Sequence, residues 1–170
     1  MHIEDAFIYC PRCGEKLSQH RGGFPHCSYC GLHCYINPKP TTAVVIFNKS
    51  GDILLTKRGI EPFKGYWDLP GGFITVGETI IESAKREIKE ELQVDINIDN
   101  IFDAVVDEYE YQGVIYPTLA TVITAHIVSG TLKASDDVVD FAFFSPKEAL
   151  QQQLAFSTVD KAITMATGLK

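Results

Sequence analysis

The chain has 170 residues, of which 45% are hydrophobic and 22% are charged, a composition that excludes a disordered chain. The formal net charge of −7 at pH 7 argues against broad electrostatic attraction to nucleic acid or to an anionic membrane. No apolar run approaches the roughly 20 residues that cross a bilayer, and the first residues lack a signal-peptide pattern. We therefore expect a soluble, cytoplasmic protein with one ordinary domain and a small module, and with no nucleic-acid or membrane partner.

All five cysteines lie in the first 34 residues. Cys10 and Cys13 form one Cys-x-x-Cys pair, Cys27 and Cys30 form a second, and a glycine follows each pair. Two such knuckles are typical of a tetrahedral four-thiolate zinc site. Two disulfides would need an oxidising compartment, and a redox motif would need only one pair. The spacing therefore predicts a structural zinc ribbon over residues 1–36, with these four cysteines as ligands and Cys34 left over.

The rest of this head gives no sign of a second binding chemistry. Four thiolates close a zinc site, so we expect the nearby histidines to stay outside it; they are His20, His26 and His33. Three basic side chains face three acidic ones, which leaves no surplus to follow a phosphate backbone; they are Arg12, Lys16 and Arg21 against Glu4, Asp5 and Glu15. We expect a structural role or a part in a homodimer, and a stiff connector over 37–40, "NPKP".

The body of the chain alternates strand and helix patterns. β-Branched and apolar runs predict strands over 41–47, 53–58 and 67–69, followed by a breaker-rich loop over 70–77. Thr79 and Glu82 have the spacing of a capping box, and an apolar stripe with helical period follows. Further strands are predicted in "DINI", "FDAVVDEYEY", "VIYPTLATVITAHIV" and 140–144, then a helix capped by Ser145 and a terminal helix over 157–167. This order predicts an α/β fold, with a mixed sheet flanked by helices.

Three glutamates crowd one side of the first long helix. Glu87, Glu90 and Glu91 stand at positions i, i+3 and i+4, where like charges repel. Only Glu90 has a cation at a helical-neighbour position, Arg86 at i−4, so the sequence offers Glu87 and Glu91 no partner. Carboxylate oxygens are the ligands that a hard divalent cation prefers. The crowding therefore predicts a bound divalent cation.

The same residues resemble the Nudix box, G-x5-E-x7-R-E-U-x-E-E-x-G-U, in which U is a bulky aliphatic residue. The matching residues are Gly72, Glu78, Arg86, Glu87, Ile88, Glu90, Glu91 and Val94. The one departure is Gln93, which stands where the family has its second glycine. The resemblance implies that residues 37–170 form the Nudix hydrolase domain, an α/β/α sandwich that hydrolyses a nucleoside diphosphate linked to another moiety.

The resemblance also implies residue roles. Glu87, Glu90 and Glu91 would be the catalytic glutamates that bind Mg²⁺ or Mn²⁺, and the carbonyl of Gly71 would be a further ligand. Glu78 and Arg86 would form a structural salt bridge between the loop and the helix.

The proton acceptor and the phosphate contacts stay open at this point. A box glutamate could accept the proton of the attacking water, and so could Asp136 or Asp137, before the strand over 140–144. Arg58, just past a strand end, could reach a substrate phosphate or could lie in solvent.

A cysteine-knuckle head on a Nudix body resembles NADH pyrophosphatases and related proteins that act on ADP-ribose or FAD. The motif S-Q-P-W-P-F-P, which NADH pyrophosphatases carry after the box, has no counterpart here, and the only tryptophan is Trp67, before the box. We expect ADP-ribose, FAD or an NAD(H)-like dinucleotide as substrate. The alternatives are a pyrophosphohydrolase that removes (d)NTPs and a non-catalytic module that senses nucleotides.

Overall fold

A computed structural model describes residues 1–18 and 24–169. Its helices are α1 (Ile3–Ala6), α2 (Ile80–Leu92), α3 (Pro146–Ala149) and α4 (Ser157–Thr167), and its strands are β1 (Lys39–Ile46), β2 (Ile53–Arg58), β3 (Trp67–Asp68), β4 (Val94–Tyr111), β5 (Val114–Gly130) and β6 (Val138–Phe144). None of the helices in the described ranges is both long and apolar enough to cross a membrane.

The strands form two three-stranded sheets. The first has the order β1-β5-β4, in which β1 runs parallel to β5 and β4 runs antiparallel to it. The second has the order β3-β2-β6 and is antiparallel throughout. The sequence separates "DINI" from "FDAVVDEYEY", but both belong to β4, which continues through three shifts of register. The prediction of a connector over 37–40 is only partly correct, because Lys39 and Pro40 belong to β1 and pair with β5.

Helices cover both faces of the first sheet. Val44 and Ile46 of β1 belong to a buried cluster with Ile88 and Leu92 of α2. The intervening Val45 belongs to a second cluster with Val159, Ala162 and Ile163 of α4. Successive strand residues point to opposite faces, so a continuous apolar run in β1 serves both helices. The predicted α/β/α sandwich is confirmed.

The cysteine head has a small core of its own, made of cysteines and Leu17 with Phe7 and Leu32 packed against it. Both of its ends meet the same strand. The Met1 carbonyl accepts a hydrogen bond of 2.8 Å from the amide of Ile115, and Lys39 pairs with Thr118. The head therefore lies beside the β4–β5 hairpin.

Candidate active site and cysteine head

Helix α2 is fixed at both ends by local hydrogen bonds. The Thr79 side chain accepts a hydrogen bond from the amide of Glu82, and the Glu82 carboxylate accepts one from the Thr79 amide at 2.8 Å, so the predicted capping box is confirmed. The helix ends at Gln93, whose backbone is left-handed with φ 61°. Glu87, Glu90 and Glu91 thus project from the last two turns of a helix that Ala84, Ile88 and Leu92 anchor in the core.

The loop before the box runs along the edge of β1. The amides of Thr42 and Val44 donate to the carbonyls of Gly72 and Pro70, each at 2.9 Å. The Gly71 carbonyl between them accepts no hydrogen bond from the described residues, whereas its amide donates to Glu91 Oε2 at 3.2 Å. Gly71 therefore contacts Glu91 through its amide, while its carbonyl oxygen has no donor among the described residues.

Glycine is required at both positions of this loop. Gly71 has φ 136°, and a Cβ there would collide with the carbonyl oxygen of Thr42. A Cβ on Gly72 would lie 2.7 Å from the carboxyl carbon of Glu87. The two glycines therefore let the Glu87 carboxylate lie directly against the backbone.

Glu91 is an acid in an unfavourable position. It is 6% exposed, and this burial raises its pKa well above the usual value. The charges of Asp137 and Glu87 raise the pKa further, and the hydrogen bond from Gly71 only partly opposes them. Burial also raises the pKa of Glu87, against the effect of Arg86. Among the described residues, the positive charge near Glu87 and Glu91 is thus too small to offset the effect of burial on their pKa values.

Asp136 and Asp137, which the sequence leaves as equal candidates for the proton acceptor, have different environments in the structure. Asp137 is half-buried, and its pKa is raised by burial in spite of the charge of Arg58. Asp136 is exposed, with φ 55°. The loop that carries them is held at the end of α2, because the Ser135 amide donates to the Glu91 carbonyl at 2.9 Å. Of the two, Asp137 therefore has the stronger coupling to the glutamates.

Arg86 connects the loop to the helix. Its Nε and Nη2 donate to the two oxygens of Glu78 at 2.5 and 2.9 Å, and this guanidinium lowers the pKa of Glu78 to about 2. Its Nη1 lies 2.9 Å from both Glu87 Oε1 and Glu90 Oε2. The expectation that Glu87 lacks a cation is therefore wrong. Helical spacing does not predict contacts between adjacent residues. The ion pair with Glu78 nevertheless positions the Arg86 guanidinium so that it contacts Glu87 and Glu90.

Arg58 is neither free nor solvated. Its Nη1 forms an ion pair of 2.9 Å with Asp68, its Nε donates to the Pro62 carbonyl at 2.7 Å, and its guanidinium lies 5.1 Å from the ring centroid of Phe156. Burial raises the pKa of Asp68 in spite of this ion pair, and the charge of Asp137 adds to the rise. Among residues 1–18 and 24–169, Nη2 of Arg58 has no hydrogen-bond acceptor. The Arg58 guanidinium is thus held in a fixed position, and its Nη2 has N–H groups available to donate to a ligand.

A cleft begins at Gly71 and Gly72 and is lined by Arg58, Phe73, Tyr109 and Phe156, among other residues. The sequence gives no reason to select Phe156, which precedes α4. Its position depends on Asp107 of β4, which accepts hydrogen bonds from Ser157 Oγ and from the amide and hydroxyl of Thr158, at 2.8–3.0 Å. Burial alone would raise the pKa of Asp107, but these hydrogen bonds and one from the Glu108 amide hold it below its usual value.

The four head cysteines come together as the spacing predicts. Their Sγ atoms all lie within 4.8 Å of one another, and the distances from Cys10 to Cys30 and from Cys13 to Cys27 are 3.6 Å. Tetrahedral zinc with Zn–S bonds of about 2.3 Å would separate its sulfurs by about 3.8 Å. Cys34 is buried but is not part of this group. The site could hold zinc.

Each knuckle has the same local turn. The amides of Gly14 and Gly31 donate to the carbonyls of Cys10 and Cys27, both at 2.9 Å, and both glycines have positive φ. His26 and His33 form a bridge with their rings stacked at 5.5 Å and contribute no atom to the cysteine group. His20 and Arg21 lie outside the described residues.

The oxygen groups beside Gly71 fit a hard divalent cation, although they do not form a tight cage. Within residues 1–18 and 24–169, only the cysteines form a group of three or more ligand side chains whose donor atoms all lie within 4.8 Å. Glu87 and Glu90 instead share Arg86, and Glu91 accepts from Gly71. Mg²⁺ usually takes one or two carboxylates together with waters and substrate phosphates, so a looser set of oxygens suits it.

Comparisons with known proteins agree with this architecture. A solved NUDIX hydrolase from Nitrosomonas europaea matches with a TM-score of 0.69 and 23% identity, over 93% of this chain and 90% of that chain. An ADP-ribose pyrophosphatase from Methanocaldococcus jannaschii is 34% identical over 111 residues, which are 65% of this chain and 63% of the relative. An NAD-capped RNA hydrolase NudC from Pseudomonas aeruginosa is 25% identical over 167 residues, or 94% of this chain and 57% of the relative.

The chain thus spans less than two thirds of the length of both curated relatives. The match to the second one covers so much of this chain that it includes part of the cysteine head. The family model described as the NUDIX domain matches residues 37–165, a stretch that contains the box, the glycine loop and Asp137. The chain therefore belongs to the Nudix family.

Proposed function

We propose that the protein is a pyrophosphohydrolase that cleaves the diphosphate linkage of a nucleoside diphosphate joined to another moiety. Its divalent cation, Mg²⁺ or Mn²⁺, would be held by Glu87, Glu90, Glu91 and the Gly71 carbonyl. The observation that carries the proposal is Glu91, buried at 6% exposure beside Glu87 and Asp137. A fold does not keep several acids in such a place for stability, because burying unpaired charge is unfavourable.

The chain's own residues divide the work of hydrolysis. When bound, a divalent cation neutralises the diphosphate and lowers the pKa of a water. The water oxygen forms the new bond to phosphorus, the anhydride P–O bond breaks, and the leaving phosphate takes the electron pair. Asp137 is half-buried and its charge acts on Glu91, which supports the proposal that Asp137, in its ionised form, would accept the water's proton. Arg58 would donate its spare Nη2 to an anionic oxygen in the cleft.

The substrate class rests on the relatives and on the cleft. The relative that is 34% identical is named an ADP-ribose pyrophosphatase, and the one that extends over the head is named an NAD-capped RNA hydrolase. The cleft beside the glycine loop carries the rings of Phe73, Tyr109 and Phe156, which suit a planar base. These features favour ADP-ribose, FAD or an NAD(H)-like dinucleotide over a (d)NTP.

The head is proposed to be a structural zinc ribbon over residues 1–36, held by Cys10, Cys13, Cys27 and Cys30, in front of a catalytic domain over 37–170. Its closed set of four sulfurs leaves no position for a substrate. A homodimer through the head stays a proposal, and so does the cytoplasmic location.

The test is a product assay on a panel of ADP-ribose, FAD, NADH and (d)NTPs, with Mg²⁺, with Mn²⁺ and with chelator. We expect turnover of a substrate from the first three with either cation and none with chelator. Asp137→Asn should lower kcat by about 10²-fold or more, as loss of a general base does, and Asp136→Asn serves as the matched control.

Two results would contradict the proposal. If the protein binds panel members but turns over none of them, it is a nucleotide sensor. If the (d)NTPs are turned over and the other three compounds are not, the proposed substrate class is wrong.

A further inference from the structure

The Arg58 guanidinium is restrained on three sides in the cleft. Two of the restraints are polar, because Nη1 pairs with Asp68 at 2.9 Å and Nε donates to the Pro62 carbonyl at 2.7 Å. The third is the Phe156 ring, over which the guanidinium lies at 5.1 Å. The N–H groups of a guanidinium donate in its own plane, whereas an aromatic ring packs against its face. The orientation of the Arg58 plane therefore depends on Phe156.

Both sheets hold the segment that carries Phe156. On the side of the second sheet, the Trp67 amide of β3 donates to the Gln153 carbonyl at 2.9 Å, and the Ala155 amide donates to the Trp67 carbonyl at 2.8 Å. On the side of the first sheet, Asp107 of β4 accepts hydrogen bonds from the two residues that follow Phe156. The attachment to β4, unlike that to β3, is made by a side chain, so a substitution can remove it.

The Asp107 carboxylate uses its hydrogen-bonding capacity inside the protein. Its Oδ2 accepts from Ser157 Oγ at 3.0 Å and from the amide and the hydroxyl of Thr158, each at 2.8 Å. Its Oδ1 accepts from the Glu108 amide at 2.9 Å. An ionised carboxylate has about four lone-pair sites, and these contacts occupy them. Asp107 lines the cleft, but it is suited to hold protein groups in place and not to bind a ligand itself.

We propose that Asp107 is a positioning residue for substrate binding. Its carboxylate fixes the start of α4, which places the Phe156 ring against Arg58, and the ring keeps Nη2 in position to donate to an anionic oxygen of the substrate. This inference rests on the proposed function for the position of the diphosphate in the cleft. Because Asp107 takes no part in breaking the P–O bond, it should affect how tightly the substrate binds and not how fast it is converted.

The test measures the dissociation constant of ADP-ribose by calorimetry without divalent cation, so that turnover is not needed. Asp107→Ala should weaken binding by about tenfold, because a poorly positioned guanidinium loses part of a charge-assisted hydrogen bond. Phe156→Leu, which removes the ring, should weaken binding by a similar factor. The double variant should bind no more weakly than Phe156→Leu alone, because Asp107 acts only through the ring. In kinetic assays, Asp107→Ala should raise KM and leave kcat unchanged.

Ser145→Ala is the matched control, because it removes the N-cap of α3 and Ser145 lines no part of the cleft. It should lower the melting temperature and leave the affinity for ADP-ribose unchanged. If Asp107→Ala does not fold, Asp107→Asn takes its place, since it keeps an acceptor oxygen and loses the charge. Its affinity should then fall by a smaller factor in the same direction.

Unchanged affinity in the folded Asp107 variant would overturn the positioning role. Effects that multiply in the double variant would also overturn it, because Asp107 would then act on the ligand independently of Phe156. If the wild-type protein does not bind ADP-ribose, the cleft is not a site for this ligand and the inference is wrong. Absence of turnover with binding retained would overturn the proposed function alone, because the affinities are measured without turnover.

Discussion

The cysteine head and the carboxylate site both collect anionic ligand groups, but the chain assembles them in different ways. In the head, tight turns bring four sulfurs within 4.8 Å of one another, and the ligands are complete before an ion is added. At the carboxylate site, Arg86 holds Glu87 and Glu90, and burial favours the protonated forms of Glu87 and Glu91. From this difference we expect the head to retain a bound ion, and the carboxylate site to exchange its ligands with a substrate.

The strongest way to break this comparison is to remove one buried acid. Glu91→Gln keeps the shape of the side chain and removes its charge, so we expect turnover to fall by about 10²-fold or more through loss of metal-assisted chemistry. The metal-free variant should melt at or above the wild-type temperature, because an ionised buried carboxylate opposes folding. Initial rates and melting curves measure both effects, and Glu110→Gln, at an exposed position, is the control. A near-wild-type rate would refute the metal assignment.

The second prediction tests whether the head keeps its ion. Freshly purified protein should contain about one zinc per chain, and Cys27→Ser should contain none, because a structural site depends on all four thiolates. Cys34→Ser is the matched control, since Cys34 is buried in the same core but is not in the ligand group. Elemental analysis of the three proteins gives the answer. Zinc retained in Cys27→Ser, or lost in Cys34→Ser, would show that the ligand set is wrong.

The third prediction concerns the pH dependence of stability without divalent cation. Burial raises the pKa values of Glu87, Glu91, Asp137 and Asp68, so the folded protein binds protons more tightly there than the unfolded chain does. Their contribution to the free energy of unfolding is therefore largest below the ordinary carboxyl pKa and is lost as the pH rises through the raised values.

Urea titrations between about pH 4 and pH 8 measure this decline. It should be smaller in Glu91→Gln than in the wild-type protein. Saturating Mg²⁺ should also reduce it, because a ligand that binds only the folded state stabilises that state. A decline that is the same in Glu91→Gln would place its origin elsewhere in the molecule.

We expect the smallest effect on stability and turnover from a substitution at Gln93, the one residue that differs from the Nudix box. Gln93 ends α2 in a left-handed conformation with φ 61°, which glycine adopts without a Cβ clash. We expect Gln93→Gly to leave the turnover rate unchanged and to raise the free energy of unfolding by at most about 1 kcal/mol. Chemical denaturation measures the change. Clear destabilisation would mean that the Gln93 side chain, whose Nε2 lies 3.4 Å from the Glu90 carbonyl, has a role that we have not identified.

Local patterns predict most of the fold and part of the site. The capping boxes at Thr79 and Ser145 depend on residues three apart, and both form. The cysteine group likewise follows from spacing. Contacts between distant segments are a different matter. Nothing local indicates that Arg58 is engaged by Asp68, or that Phe156 lines the cleft. Helical spacing also fails for Arg86 and Glu87, because a long side chain that is held at Glu78 can reach its own neighbour.

The hydrogen bonds of Asp107 also bear on the order in which the molecule assembles. Helix α2 is capped by its own Thr79, whereas the residue that precedes α4, Phe156, makes no side-chain capping bond, and Asp107 of β4 supplies one instead. An isolated helix of 11 residues is only marginally stable in water. We therefore expect α2 to form early from local contacts. The amides of α4 should become protected from hydrogen exchange only after β4 has joined the sheet, because Asp107 of β4 accepts the hydrogen bond that caps α4.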